Sequence, residues 1–266
     1  MALWRLHYRP LPPSLLLKVV LTPALIATAT LVGRRWGEAM SGWLVGLPLT
    51  SAPVIFFLAL DQGTAFATTA ALAVLLGTIS QAAFAVAYAR VAVRTAWFPA
   101  AAAGCGVFAL ATIGFQRVSL PALVAYGAVV GSLILAMVLM PRNGNQPARG
   151  PVVPDWDLPL RIVLATGLVL VLTGIAPRIG AHLSGLLSPF PVYAGVLAIF
   201  AQRQSGAGAN AVLRGLLLGL FAFASFFLVL ALGLDRLGIG LSFALATLVA
   251  LLVQGSTLRL VRTTGR

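Results

Sequence analysis

Apolar residues do not alternate with polar ones along this chain, nor do they keep to one helical stripe. They run on almost unbroken over 15–33, 41–60, 64–89, 97–116, 119–140, 159–177, 182–202, 207–233 and 237–258. A run of about 20 residues with no polar face matches a hydrocarbon layer about 30 Å thick at 1.5 Å per residue. The pattern therefore predicts an all-α polytopic membrane protein with about nine transmembrane helices. One polar segment interrupts the series, from Pro141 to Asp157, with four prolines, two asparagines and a glutamine. It is too polar to cross a bilayer and too short to fold alone, so it is expected to be a linker. The first run has no small-residue cleavage motif before Arg34 and Arg35, so it is expected to be a retained span.

The apolar pattern repeats. Gly37, Ser41, Gly42, Leu44, Pro48, Phe57 and Gly63 recur as Gly180, Ser184, Gly185, Leu187, Pro191, Phe200 and Gly206, each displaced by 143 residues. Ala59 has its counterpart in Ala201, one position out of register. The same displacement carries the first four runs onto the last four and leaves the fifth unmatched. The expected organisation is a four-helix repeat over 1–116, a connecting helix over 117–140, a hydrophilic linker over 141–158, a second four-helix repeat over 159–258 and a basic tail over 259–266. An odd number of spans separates matching helices, so the two repeats are expected to be inverted. Charge agrees, because each inter-helix position reverses its basic bias between copies. Arg34 and Arg35 face Arg178 alone across the repeat, and Asp61 faces Arg203.

Composition strengthens the membrane reading. Of 266 residues, 60% are hydrophobic and only 9% charged, against about 25% charged in a typical soluble domain. The net charge of +13 sits mostly at ends of apolar runs, where Arg anchors to headgroups and sets orientation. This points to membrane lipid as partner and away from nucleic acid. Counting the basic residues by side places the more basic face in the cytoplasm, which gives a multi-pass protein of the bacterial inner membrane with its N-terminus out and C-terminus in. Cys105 is the single cysteine, so no intrachain disulfide or thiolate metal cluster is possible.

Candidate chemistry gathers where helices are expected to break. Pro48 and Pro53 follow Ser41 and Gly42 in the second run, and Pro189 and Pro191 follow Ser184 and Gly185 in the seventh. A proline within a helix removes a donor and frees a carbonyl. In lipid those groups must face protein or a polar cavity. Paired interruptions in inverted copies point to a transport site at the repeat interface, and proline-kinked packing helices are the alternative. Thr50, Ser51, Ser188 and Tyr193 add hydroxyls at the same places. Thr78, Ser80 and Gln81 form a polar cluster deep in the third run, where they either line a cavity or bond a neighbouring helix. Arg214 lies well inside the eighth run and either snorkels to headgroups or draws an anion into a cavity. His182 has no metal-ligating neighbour in sequence, and the chain carries no phosphate-cradling Gly-rich loop, no HExxH and no paired acids. No catalytic residue, cofactor or metal is therefore expected, and the chain is not expected to be an enzyme.

The second copy, Ser184-Gly-Leu-Leu-Ser-Pro-Phe-Pro191 followed by Gln204-Ser-Gly206 and the long run from Val212, resembles the core of the small GlpM-like bacterial inner-membrane proteins. A weaker echo lies at Ser41-Gly-Trp-Leu-Val-Gly-Leu-Pro48. The resemblance implies a fused duplication of a unit of about four spans. It also implies an envelope context, since one member of that family is linked to alginate production. It names no substrate and no catalytic residue.

Two functions follow as expectations. The first is a small-solute permease or exporter that works by alternating access between inverted repeats. The second is a non-transporting membrane scaffold, an accessory to envelope or polysaccharide assembly. The partners expected are a small-molecule substrate in the first case, and a second copy or an envelope-assembly protein in the other.

Overall fold

A computed structural model describes residues 20, 23–24, 47–141, 157–204 and 208–264. Among these the elements are all helical: α1 (Ser51–Gln62), α2 (Thr64–Ala92), α3 (Trp97–Phe115), α4 (Ala122–Leu139), α5 (Asp157–Leu187), α6 (Val192–Gln204) and α7 (Gly208–Thr264). Five of them, α2, α3, α4, α5 and α7, are long and apolar enough to cross a membrane, and α1 and α6 are shorter apolar helices. The expected spans 15–33 (apart from residues 20 and 23–24) and 41–46 lie outside the described residues.

Helix boundaries differ from the apolar runs in three informative places. Residues 182–202, expected as one span, are two helices separated by Ser188–Pro191. Residues 159–177 belong to a longer helix that departs from helical geometry only at Gly180. The last two runs form one helical stretch, α7, whose backbone leaves helical geometry at Gly238 alone. Its apolar stretch of 49 residues would be about 74 Å long if straight, more than twice a hydrocarbon core. The turn at Gly238 divides it into two arms. Gly63, Gly180 and Gly238 have φ of +89°, +81° and +73° with ψ of 168°, 166° and 176°. That combination is open essentially to glycine alone, and it lets one residue join two helices. Gly63 shows how: its N–H donates to Ala59 O at 3.1 Å and its own carbonyl accepts from Ala67 N at 3.2 Å.

Hydrogen bonds between helices fix which ends lie together. Arg90 Nε donates to Leu139 O at 3.2 Å, and Gln202 Nε2 donates to Thr95 O at 2.8 Å. Arg214 Nη2 donates to Pro141 O at 3.1 Å. The C-termini of α2, α4 and α6 therefore share one end of the bundle with the start of α7. Arg90, Arg94, Arg203 and Arg214 sit at this basic end. At the other end His182 Nε2 meets Phe115 O at 3.0 Å, so the end of α3 meets the chain just after the turn at Gly180. It follows that α2 runs toward the basic end and the first arm of α7 runs away from it.

Helix α2 is the centre. It packs against α1, α3, α4, α5 and α7, and most of its residues are buried. Its N-terminal half is nearly all small, with Ala67, Ala70, Ala71, Ala73 and Gly77 fully or almost fully buried. Small residues let backbones approach closely, which drives helix association where lipid removes the hydrophobic incentive. By contrast α3 and α4 carry large exposed apolar side chains, among them Leu110 at 71% and Val138 at 76% exposure. An apolar surface that extensive suits acyl chains, not water.

Candidate functional site

The gap between α5 and α6 is the best-defined irregularity inside the bundle. After Gly180 the chain turns back as a short arm, 181–187, and its helix stops at Leu187. Pro189 and Pro191 have no N–H to continue it. The freed groups are satisfied locally. Ser188 N donates to Ser184 O and Gly185 O at 3.1 and 3.2 Å, Phe190 N to Leu187 O at 3.0 Å, and Gly195 N to Pro191 O at 2.8 Å. α6 then starts at Val192 and runs to the basic end.

This gap lies at mid-depth. A Cβ on Gly77, the midpoint of α2, would sit 2.6 Å from Pro189 Cγ and 2.7 Å from Leu186 O. A Cβ on Gly185 would run into the Ala70 carbonyl and reach within 2.7 Å of Ala73 Cβ. The interrupted helix is thus pressed backbone to backbone against α2 by a glycine on each side. Ser184 Oγ donates to Gly180 O at 2.8 Å, which ties it to the turn.

The second interruption arrives at the same point. Leu47–Thr50 is non-helical, and α1 starts at Ser51. Pro53 falls in its first turn, where a missing N–H costs nothing. Ser51 Oγ donates to Ser188 O at 2.9 Å, and both residues are fully buried. Helix α1 is 12 residues and α6 is 13, each about 18–20 Å long, roughly half the span of α2. They leave the junction toward opposite ends of the bundle, with their N-termini facing the middle.

Pro48, Ser51, Pro53, Ser184, Gly185, Pro189 and Pro191 are all buried in this region, and Thr50 is half-buried beside them. Tyr193 lies in the first turn of α6. Gln81 is on the α2 face toward the gap, and it is 6% exposed. Its Oε1 and the Ser188 Oγ are buried with no hydrogen-bond partner among the described residues. Ser41 and Gly42 lie outside the described residues. Arg214 is elsewhere: its guanidinium reaches Met140 O and Pro141 O at 3.4 and 3.1 Å. It caps the C-terminus of α4, where carbonyls and the helix dipole favour a cation. Sequence reasoning offered headgroups or an anion for Arg214. An acceptor 73 residues away was invisible to it.

Two neighbouring features had no sequence signal. Tyr88 Oη donates to Gln202 Oε1 at 2.9 Å, and Gln202 Nε2 donates to Ala92 O and Thr95 O at 3.2 and 2.8 Å, closing the seam between α2 and α6. On the other flank of α1 lies an apolar pocket of about 330 Å³, lined by Leu47, Pro48, Pro53 and Phe56 with Phe226, Phe243 and Leu251. Among the described residues, no three His, Cys, Asp or Glu side chains gather as metal ligands. Compared with known protein families, curated proteins and solved structures, the chain finds no match.

Proposed function

We propose that this chain is a small-solute permease or exporter, with its substrate path at the junction of α1 and α6. The observation that carries the proposal is the Ser51–Ser188 hydrogen bond, 2.9 Å long and fully buried. It joins two helix interruptions at mid-depth, the arrangement by which broken helices build a transport site at a repeat interface. The helix bounds support an inverted duplication. Displaced by 143 residues, α1 becomes 194–205 beside the observed Val192–Gln204, and α2 becomes 207–235 beside the first arm of α7. α3 becomes 240–258, within the second arm. The antiparallel course of α2 and that first arm also fits inversion. Arg90, Arg94, Arg203 and Arg214 at one end favour that end as cytoplasmic, with the N-terminus out and the C-terminus in. A relationship to the GlpM-like proteins fits this reading and adds an inner-membrane, envelope context.

The scaffold reading draws on one observation, the glycine-mediated contact of Gly77 and Gly185 with the opposing backbone, which suits a solid core. One experiment separates the two. A Thr50→Cys change in a Cys105→Ser background is treated with a membrane-impermeant maleimide, in right-side-out and inverted vesicles. Labelling from either face is the result expected of a transporter. Complete protection from both faces rejects transport in favour of the scaffold.

A further inference from the structure

We propose that the junction binds an anionic group of a small solute, such as a carboxylate, between the N-termini of α1 and α6. This rests on the transport reading above and adds the substrate's charge. Three observations converge. The first is orientation. Ser51 opens α1 and Val192 opens α6, and the two helices run from the junction to opposite ends. Each helix N-terminus carries about half a positive charge with unpaired N–H groups, and both face one spot inside an apolar bundle.

The second is that the opposing dipole is largely quenched. The short arm 181–187 ends at the same place and would present carbonyls to a cation. Instead Ser184 O and Gly185 O accept from Ser188 N, Leu187 O accepts from Phe190 N, and Ser188 O accepts from Ser51 Oγ. The positive ends are left as the dominant field. No Asp or Glu among the described residues lies at this depth: Asp61 ends α1, Asp157 opens α5, and Asp235 sits beside the turn at Gly238.

The third is a pair of buried side chains with unused hydrogen-bonding capacity. Ser188 is fully buried in the gap itself, and its Oγ has no partner among the described residues. Gln81 shares a face of α2 with Gly77 and Phe84, four residues before and three after it. Gly77 meets Pro189, and the Phe84 ring lies 3.7 Å from a Cβ placed on Gly195, so Gln81 is held level with the first turn of α6. Its Oε1 is buried and unpartnered, and its amide can turn either oxygen or NH₂ inward. A hydroxyl, an amide and two helix N-termini form a donor set suited to an oxyanion, as at other helix-end anion sites.

The test reads the sign of the potential directly. Ser188→Cys, in the Cys105→Ser background and purified in detergent, is reacted with sulfonatoethyl methanethiosulfonate and with trimethylammonioethyl methanethiosulfonate. Each rate is divided by that reagent's rate with mercaptoethanol. The expected result is that the normalised anionic rate exceeds the cationic rate by tenfold or more. Equal rates, faster reaction with the cation, or no reaction would each overturn the proposal. Ser51→Cys gives the same reading should Ser188→Cys fail to fold. Labelling of Thr50→Cys with the wrong sign at residue 188 sinks only the anion inference. Silence at both positions sinks the transport reading with it.

Discussion

The contact of Gly185 with α2 gives the sharpest test of the packing argument. In Gly185→Ala the new methyl meets the Ala70 carbonyl and comes within 2.7 Å of Ala73 Cβ. The carbonyl is backbone within the most buried helix, so it cannot swing aside as a side-chain tip would. Overpacking of this kind costs about 1–3 kcal/mol. Against it stands the intrinsic helix preference of alanine over glycine, about 1 kcal/mol. Gly174→Ala supplies the reference, because nothing lies within 4 Å of that Cβ and the site is exposed and helical. It should gain the propensity term alone. The two variants should therefore differ by about 1–3 kcal/mol, Gly185→Ala being the less stable. Equilibrium unfolding in mixed micelles, followed by helical circular dichroism, measures the difference. A second variant, Gly185→Ala with Ala73→Gly, removes the methyl–methyl clash but not the carbonyl clash, so it should recover only part of the loss. If Gly185→Ala is as stable as Gly174→Ala, the close approach of the interrupted helix to α2 is wrong.

Other changes test the remaining contacts. Ser51→Ala deletes the donor to Ser188 O and should cost about 0.6–1.7 kcal/mol in the same unfolding assay, the range for hydrogen bonds between membrane helices; an unchanged midpoint would remove the link on which the proposed function stands. Arg214→Met takes a charged donor from the last carbonyls of α4 and should cost about 1.5–3 kcal/mol, whereas the exposed Arg90→Gln should cost less than about 1 kcal/mol. Equal losses would show that α4 does not depend on Arg214 for its cap. Single cysteines at Gln62 and Arg203, both exposed, should react with an impermeant reagent from opposite faces of the membrane; labelling from one face would rule out the inverted arrangement.

The helical membrane class was legible because nothing but a bilayer accommodates so many long apolar runs. The gap at Ser188–Pro191 was legible in kind, since two prolines two residues apart cannot continue a helix. What escaped was tertiary. Gly180 looks like any other glycine until its φ of +81° reverses the chain and turns an expected single span into a short arm and α6. Asp235 and Arg236 drew the expected loop to themselves, yet the helix passes through both and turns at Gly238, because the constraint there is backbone conformation and not polarity. Gln81 stood out as a polar residue in an apolar run, but its neighbours did not. Tyr88 gave no sign of its partner, Gln202, 114 positions away. Ser41 and Gly42 lie outside the described residues, so only the second copy's half of that motif has a structural account.

The connecting helix α4 clarifies how the two copies are joined. At the basic end its last carbonyls are held by arginines from both sides, Arg90 on α2 and Arg214 on α7. Near its start Tyr126 Oη lies 3.0 Å from Ser225 Oγ on α7. Its printed hydrogen bonds thus attach α4 to α7 at two depths but to α2 only at one end, through the more exposed arginine. Motion between the copies needs one seam to yield before another. The single, exposed Arg90–Leu139 bond is the weaker tie, since solvent and headgroups compete for a surface arginine. On this geometry α4 moves with the second copy, and sliding falls between α4 and α2. The seam between α2 and α6, closed by Tyr88 and Gln202 toward the basic end, is then what must open for the junction to reach the cytoplasm.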